Sequence, residues 1–407
     1  MIALRAMQTQ NINNIEALRL NGMFSKGMTE KDIMNFVKEI STANTINSKE
    51  RNEILESLKQ EARLRKPLDI QPTWIQFRDT IFDIKTGEKF KANHQYFVTN
   101  PIPHQLHPDC FEDTPNMDRI FAQWVGENNT RLLYEILAYC LLPDYPIHRL
   151  FCFIGNGLNG KSSFLTLLTK FIGKDNICST ELDTLLYSRF EITKLYKKLV
   201  CMMGETNFNE ITHTSKLKKL TGQDLIGFEY KNKLPFDDYN YAKILIATNN
   251  LPTTTDKTLG FYRRWSIIDF PNEFSEKKEI LKEIPDEEYQ SLALKCCYIL
   301  KELLEKRDFT GEGSLSDRAK KYESKSDFLQ HFISEFILED YNSYITVSDF
   351  NKKFSAWCRE NRHRELSETS IGKRLKEIGF EQERKYFNWM FDNKGGYARI
   401  WVGKKWK

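Results

Sequence analysis

The chain has 407 residues, of which 40% are hydrophobic and 29% charged, and a formal net charge of +4. This describes an ordinary soluble protein of about two to three domains. No apolar run approaches membrane-spanning length, and no signal-peptide pattern opens the chain. The eight cysteines form no C-x-x-C pair, so neither a zinc site nor a disulfide framework is indicated, and a reducing cytoplasm is the expected setting. Charge is unevenly spread. Residues 350–407 hold 15 Lys/Arg against 7 Asp/Glu, a local +8, which leaves −4 for the remainder. A basic tail suits a polyanionic partner, or else a solvated charged face.

Residues 1–66 read as helical and polar. Thr29 can cap a helix with Asp32 three residues on, and Ile33, Phe36, Val37 and Ile40 then recur at helical spacing. A second helix is expected from about Ser48 to Arg65. With the preceding stretch from Arg19 to Ile33, the pair resembles the small helical module that follows the polymerising domain of phage and plasmid primases. Residues 67–145 change character. Trp74–Arg78, Thr80–Ile84 and Tyr96–Thr99 read as short strands, Pro101, Pro103 and Pro108 break the chain, and Met117–Leu142 follows a helical pattern. A small α+β adaptor without a catalytic constellation is the expectation there.

Residues 146–285 carry the chemistry. The apolar run ending at Ile154 reads as a buried strand, and Ser163–Leu168 as the start of a helix. Between them Gly155, Asn156, Gly157, Leu158, Asn159, Gly160, Lys161 and Ser162 fit the G-x-x-x-x-G-K-[ST] phosphate loop in full, with Ser163 next. Glycines let backbone N–H groups approach phosphate oxygens, and the helix start adds a positive dipole end. Lys161 is placed to reach the β- and γ-phosphates of ATP and Ser162 to hold Mg²⁺. A second apolar strand, Lys198–Met203, ends at Gly204-Glu205, where a carboxylate suits metal and water positioning. A basic helix over Ser215–Leu220 leads to Thr221–Asp224. Ile226–Lys233 then alternates like a hairpin with Lys231 and Lys233 at its tip. Tyr241–Thr248 is a further strand ending at Asn249, and Gly260–Trp265 precedes the strand Ser266–Phe270.

The phosphate loop, Gly204-Glu205, Lys216–Asp224, Ala247–Pro252 and Phe261–Trp265 occur in one order. Together they resemble a superfamily 3 helicase of the phage and plasmid primase–helicase kind, over about residues 70–280. The resemblance implies an AAA+-like ATPase that forms a homo-hexameric ring and moves on single-stranded or forked DNA. It implies Lys161 and Ser162 as Walker A residues, Glu205 as the Walker B acid and Asn249 as the sensor of the attacking water. Arg264, or alternatively Arg263, would be the arginine finger acting on a neighbouring subunit. Lys231 and Lys233 would grip DNA phosphates from a central-channel hairpin. One departure is plain: many members carry two adjacent acids at the Walker B position, and here the first is Gly204.

Residues 286–315 read as a helical connector, with Pro285 able to open a helix and Gly311–Ser314 marking a linker. Residues 316–407 suggest a small winged-helix domain. Its expected parts are helices over Phe328–Leu338, about Val347–Cys358 and Thr369–Ile378, then a terminal hairpin turning at Asp392–Gly396. It resembles the C-terminal domain of the same family, whose third helix touches DNA; that helix here carries Lys373, Arg374 and Lys376. The whole reads as the helicase part of a mobile-element replication protein in a bacterial or archaeal cell. It would be the C-terminal part of a longer chain bearing a primase-polymerase domain, since no acidic triad in a suitable sheet precedes residue 70. The other function the sequence allows is an origin-binding initiator that uses ATP only to assemble.

Overall fold

The computed structural model describes residues 47–54, 70–93, 98–107, 112–155, 157–204, 210–249, 251–274, 279–360, 365–387 and 396–407, with Asn35, Glu56 and Tyr96. The expected helix at Thr29–Ile40 and most of the one at Ser48–Arg65 lie outside them, apart from helical residues 48–54 and 56 and the lone helical Asn35.

The described chain divides into two units. The first draws on residues 1–204, 215–247 and 264–312, and the second on 205–214, 248–263 and 313–407. Neither coincides with the five consecutive segments expected from the sequence, because the chain crosses between units several times.

The first unit is built on a parallel sheet. Its strands are β4 (Leu150–Ile154), β5 (Ile177–Ser179), β6 (Val200–Met203), β10 (Lys243–Thr248) and β12 (Trp265–Asp269), in spatial order β12-β4-β10-β6-β5. Taken as strands one to five in chain order, this is 5-1-4-3-2. Every residue of β4 and β10 is buried, as a strand covered on both faces requires. An antiparallel sheet precedes it: β1 (Trp74–Gln76), β2 (Thr80–Asp83) and β3 (Lys89–Lys91). Residues 98 and 99 are not strand, because Asn100 turns inward instead, its amide donating to Asn176 Oδ1 and Lys197 O.

The helical run expected from Met117 to Leu142 is two helices. Gly126, at φ +81°, ends α1 (Pro115–Val125) before α2 (Thr130–Tyr139) begins. These helices share one continuous core with the sheet and with α7 (Asp286–Lys306), from Ile75 and Phe77 through Phe151 and Phe164 to Leu300 and Phe309. Buried carboxylates fasten the pieces. Glu288 of α7 accepts from the Met117 N–H at 2.7 Å and from the Asn116 amide, at the start of α1. Glu135 of α2 accepts from the Thr310 N–H and hydroxyl, each at 2.7 Å. What the sequence presents as adaptor and connector therefore packs as the wall of the unit that holds the parallel sheet.

The second unit carries the C-terminal core. After α8 (Leu315–Ser326) the order is α9 (Phe328–Phe336), β13 (Ile337–Thr346), α10 (Val347–Glu360), α11 (Glu368–Glu377), β14 (Gln382–Phe387) and β15 (Gly396–Trp406). The strands form an antiparallel sheet in the order β13-β15-β14. Phe332, Phe350, Phe354, Trp357, Leu375 and Trp401 fill the space between sheet and helices. The first helix stops two residues short of the expected Leu338, because Ile337 pairs with Trp406 and opens a strand the sequence reading missed. The turn expected at Asp392–Gly396 lies outside the described residues except for Gly396.

Lys243, the first residue of β10, is fully buried. Its Nζ donates to Leu142 O and, at 2.7 Å, to Asp144 O, and lies 4.9 Å from the Tyr139 ring centre. Burial pulls its pKa from 10.5 down to about 7. Between those values the unfolded chain binds a proton that the folded chain does not, so stability should rise with pH. A slope of up to about 1.4 kcal/mol per pH unit is expected from this one group. Urea unfolding at steps from pH 7 to 10 should show the rise in the wild type, and Lys243→Met should lose that component.

Candidate nucleotide site

The loop after β4 is shaped by what its glycines leave out. Gly160 caps α3 (Lys161–Ile172) in the left-handed region, at φ +93°. A Cβ there would stand 2.4 Å from the indole of Trp124, a fully buried residue of α1. A Cβ at Gly155 would stand 2.5 Å from the Phe270 carbonyl oxygen, just past β12. Nothing lies within 4 Å of the corresponding position at Gly157, which faces open space. The loop is thus pressed against protein at both ends and open in its middle. Leu158, half exposed with φ +58°, is held in that conformation by its carbonyl, which accepts from the Phe274 N–H at 2.7 Å.

Lys161 is buried, and its Nζ donates to Gly155 O at 2.5 Å and to Asn159 Oδ1 at 3.0 Å. Asn159 is buried too, its amide reaching Phe270 O at 3.4 Å. The ammonium is therefore folded back over the loop, satisfied by the loop's own acceptors. Ser162 is exposed and Ser163 partly so. No acidic residue lies in the first turn of α3, so nothing neutralises its dipole. The Lys161 N–H donates to Asn159 Oδ1 at 3.4 Å, and glycine backbone, a lysine and a hydroxyl at a helix N-terminus are the groups an oxyanion would need. Behind it, burial on β4 pushes the Cys152 thiol up, which keeps it protonated and unreactive. Asn156 and Glu205 lie outside the described residues, and among those described no cluster of three or more His, Cys, Asp or Glu could hold a metal.

The other expected residues have diverse settings. In the sheet β10 lies beside β4, and Asn249, which follows β10, is exposed. Lys231 and Lys233 are exposed at the tip of a hairpin formed by β8 (Leu225–Phe228) and β9 (Phe236–Tyr239). They stand in a turn around Asn232, at φ +63°, rather than on a strand, so strand alternation does not set their direction. The strand pair next to this turn is packed, with Tyr196 against Phe228 and Phe236.

The two adjacent arginines part company. Arg264 is buried. Its Nε donates to Thr221 Oγ1 at 2.9 Å and its Nη2 to Lys218 O at 3.1 Å, so it caps the end of α5 (Thr214–Leu220). In this structure the guanidinium of Arg264 is thus committed to acceptors of its own chain. Arg263 is exposed. In α11, Lys373 and Lys376 are exposed, whereas Arg374 is half-buried and paired with Asp327 at 2.8 Å. Sequence reasoning placed Trp124 in a helical pattern but missed its contact with the loop. Nothing in the α1 pattern separates it from Phe121 or Ile120, since all three are apolar at helical spacing.

Two family descriptions match the chain: "D5 N terminal like" over residues 17–127, and a family of unknown function, DUF5906, over residues 153–264. A protein of Acanthamoeba polyphaga mimivirus named as a helicase is 22% identical over 325 residues, or 72% of this chain. Primase D5 of Fowlpox virus (strain NVSL) is 25% identical over 236 residues, or 52% of this chain. The chain spans 34% and 29% of these two relatives' lengths. These matches support a primase–helicase family. Two apo structures of an NrS-1 C-terminal region align at a TM-score of 0.40 with 14% and 15% identity, covering 86% of this chain and 90% of theirs. Among the described residues no helix is long and apolar enough to cross a membrane.

The two loop glycines should separate in mutation. Gly160→Ala meets both a positive φ and the Trp124 ring, and should cost about 2 kcal/mol or more. Gly157→Ala meets neither, and should leave the unfolding midpoint within about 0.5 kcal/mol of wild type while weakening any phosphate ligand. Thermal unfolding with and without nucleotide reads both.

Proposed function

We propose that this chain is the ATP-hydrolysing motor part of a primase–helicase, of the superfamily 3, AAA+-like kind, working on single-stranded or forked DNA. The observation that carries the reading is a phosphate loop, complete in sequence, directly after strand one (β4) of a 5-1-4-3-2 parallel sheet, with Lys161 already turned over the loop. The names of the viral relatives agree with it. The cradle fits a nucleotide phosphate: two glycines that tolerate no side chain, an open Gly157 and an undisguised helix start.

Bound ATP with Mg²⁺ would supply the phosphoryl group and the driving free energy. Lys161 would exchange Gly155 O and Asn159 Oδ1 for phosphate oxygens and neutralise charge that develops during transfer. The Ser162 hydroxyl would be a Mg²⁺ ligand. Glu205 and Asn249 are proposed, from their positions after β6 and β10, to position the attacking water. Arg263, exposed where Arg264 is not, would be the arginine finger, acting across the interface of a homo-hexameric ring. Lys231 and Lys233 would hold phosphates of the strand in the channel, an attachment that carries no sequence information and so suits a motor. The α-β-α-α-β-β order of the C-terminal core is compatible with a winged helix, which we read as a DNA-binding element using Lys373 and Lys376. Arg374 would contribute there through its hold on Asp327.

Lys161→Ala should abolish ATP turnover while the protein still folds; near wild-type hydrolysis by the folded variant would overturn the reading. DNA-stimulated turnover together with strand separation would exclude an initiator that uses ATP only to assemble. Arg263→Ala should lower turnover by about 10³-fold or more, and mixing it with Lys161→Ala subunits should restore part of the activity. Arg264→Ala should instead lose stability, by about 1–3 kcal/mol, because buried Thr221 Oγ1 and Lys218 O lose a charged partner. Lys231→Ala with Lys233→Ala should keep basal hydrolysis and lose stimulation by single-stranded DNA. The salt slope of single-strand binding should fall by about 0.7 for each phosphate that a lysine no longer neutralises.

A further inference from the structure

The segment that bears Arg263 cannot hold its own shape. Between Leu251 and Arg263 it contains β11 (Thr253–Thr254), only two residues long, and α6 (Leu259–Tyr262), a single turn with no side-chain N-cap. A helix of one turn has no independent stability in water. The two-residue strand pairs in parallel with residues 210 and 211, and the remainder of the segment is held by α8, a twelve-residue helix opened by a complete capping box between Ser314 and Asp317.

Two consecutive residues of α8 do the fastening. Tyr322 is fully buried, and its hydroxyl donates to Pro252 O at 2.7 Å. Its ring meets Phe261 edge-on at 5.2 Å and Tyr262 at 5.8 Å. Glu323 Oε1 accepts from the Tyr262 hydroxyl at 2.7 Å and from Lys257 Nζ at 3.2 Å. The start, middle and end of the segment are thus tied to one turn of helix. Phe261 and Tyr262 are buried as a result, while Arg263, whose N–H donates to Leu259 O, is left exposed directly after them.

We propose that Tyr322 and Glu323 are positioning residues for Arg263, so that α8 sets where the guanidinium is offered to the neighbouring subunit's nucleotide. This rests on the reading of Arg263 as the finger. The aromatic packing fixes the end of the segment in depth, and the Glu323–Tyr262 hydrogen bond fixes its rotation. The Tyr262 hydroxyl, and after it Lys257, hold the Glu323 carboxyl below its ordinary range, so it stays ionised and a strong acceptor at neutral pH. Because α8 leads through Asp327 into α9, a chain cut at Gly313 would lose this anchor along with the C-terminal core.

The test uses the full chain and compares Glu323→Gln and Tyr322→Phe with wild type, alone and combined with Arg263→Ala. Melting temperature, ATP KM, kcat and ring assembly are measured for each. Positioning predicts that Glu323→Gln lowers kcat about tenfold, the equivalent of one charged hydrogen bond, with KM within about twofold of wild type. The same substitution should have no further effect once Arg263 is Ala. Mixing Glu323→Gln with Lys161→Ala subunits should restore turnover, since one kind of interface then has an intact loop and a well-placed finger. Unchanged kcat in both α8 variants overturns the proposal. So does an equal drop with and without Arg263, which would mark a general loss of packing. If Lys161→Ala is inactive but Arg263→Ala is fully active, the finger reading fails first and the proposal falls with it. A wild type without turnover would remove the motor reading and this one together.

Discussion

The loop after β4 depends on one steric constraint: there is room for a backbone and no more between the Trp124 indole and residue 160. Any side chain there would stand about 1 Å inside ordinary van der Waals distance, at a φ that L-residues avoid. The fit is stiff because Trp124 cannot yield. Phe121 stacks on it, and Phe164 and Phe270 crowd its other sides at 6.3 and 6.4 Å. Phe164 lies on α3 and Phe270 follows β12, so the ring that shapes the loop is gripped by the helix that ends the loop and by the strand paired with β4. Shape at the site is thus a property of the aromatic core, not of the glycines alone.

This explains why the stretches before and after the sheet belong to the nucleotide unit. Trp124 is only as fixed as α1, and α1 is fixed at its start by Glu288 of α7. Arg149, just before β4, pairs with Glu312 at 2.8 Å and Asp308 at 3.3 Å, which closes the far end of the same unit. The Glu312 side chain is nearly inaccessible, so that pair is worth more than the exposed pairs at Arg119 or Arg131, which salt would screen. Carboxylates distant in sequence but buried against α1, α2 and β4 make one body of three stretches that composition would separate.

What the sequence made legible follows from locality. The phosphate loop, the flanking strand and helix, the strands at β6, β10 and β12, and the Lys231–Lys233 turn are all written in adjacent residues, and their periodicity or turn chemistry is intrinsic. The pieces not legible depend on distant partners. Strand β13 exists because β15 pairs with it, and the amphipathic pattern of Phe328–Leu338 runs past the point where pairing takes over from helix. The break at Gly126 was readable in principle, since a glycine inside a helical pattern can be a C-cap. The role of Trp124 was not, because an apolar residue at helical spacing carries no sign of which backbone it will meet.

The paired arginines make the same point at the scale of one peptide bond. Chemistry and sequence neighbourhood are nearly identical for Arg263 and Arg264, and a motif cannot choose between them. Environment does. Arg264 opens into β12, where alternation turns its side chain toward α5, and the hydroxyl of Thr221 and the carbonyl of Lys218 complete its hydrogen bonding. Arg263 closes α6 instead, at a position where the helix ends and no such acceptors are offered. A buried arginine needs several fixed acceptors, because an unpaired guanidinium in the interior is costly. Supplying them commits it to its own chain. The arginine left to the surface is therefore the one whose surroundings give it least to do, and burial with a filled acceptor set is the feature by which such a pair can be sorted.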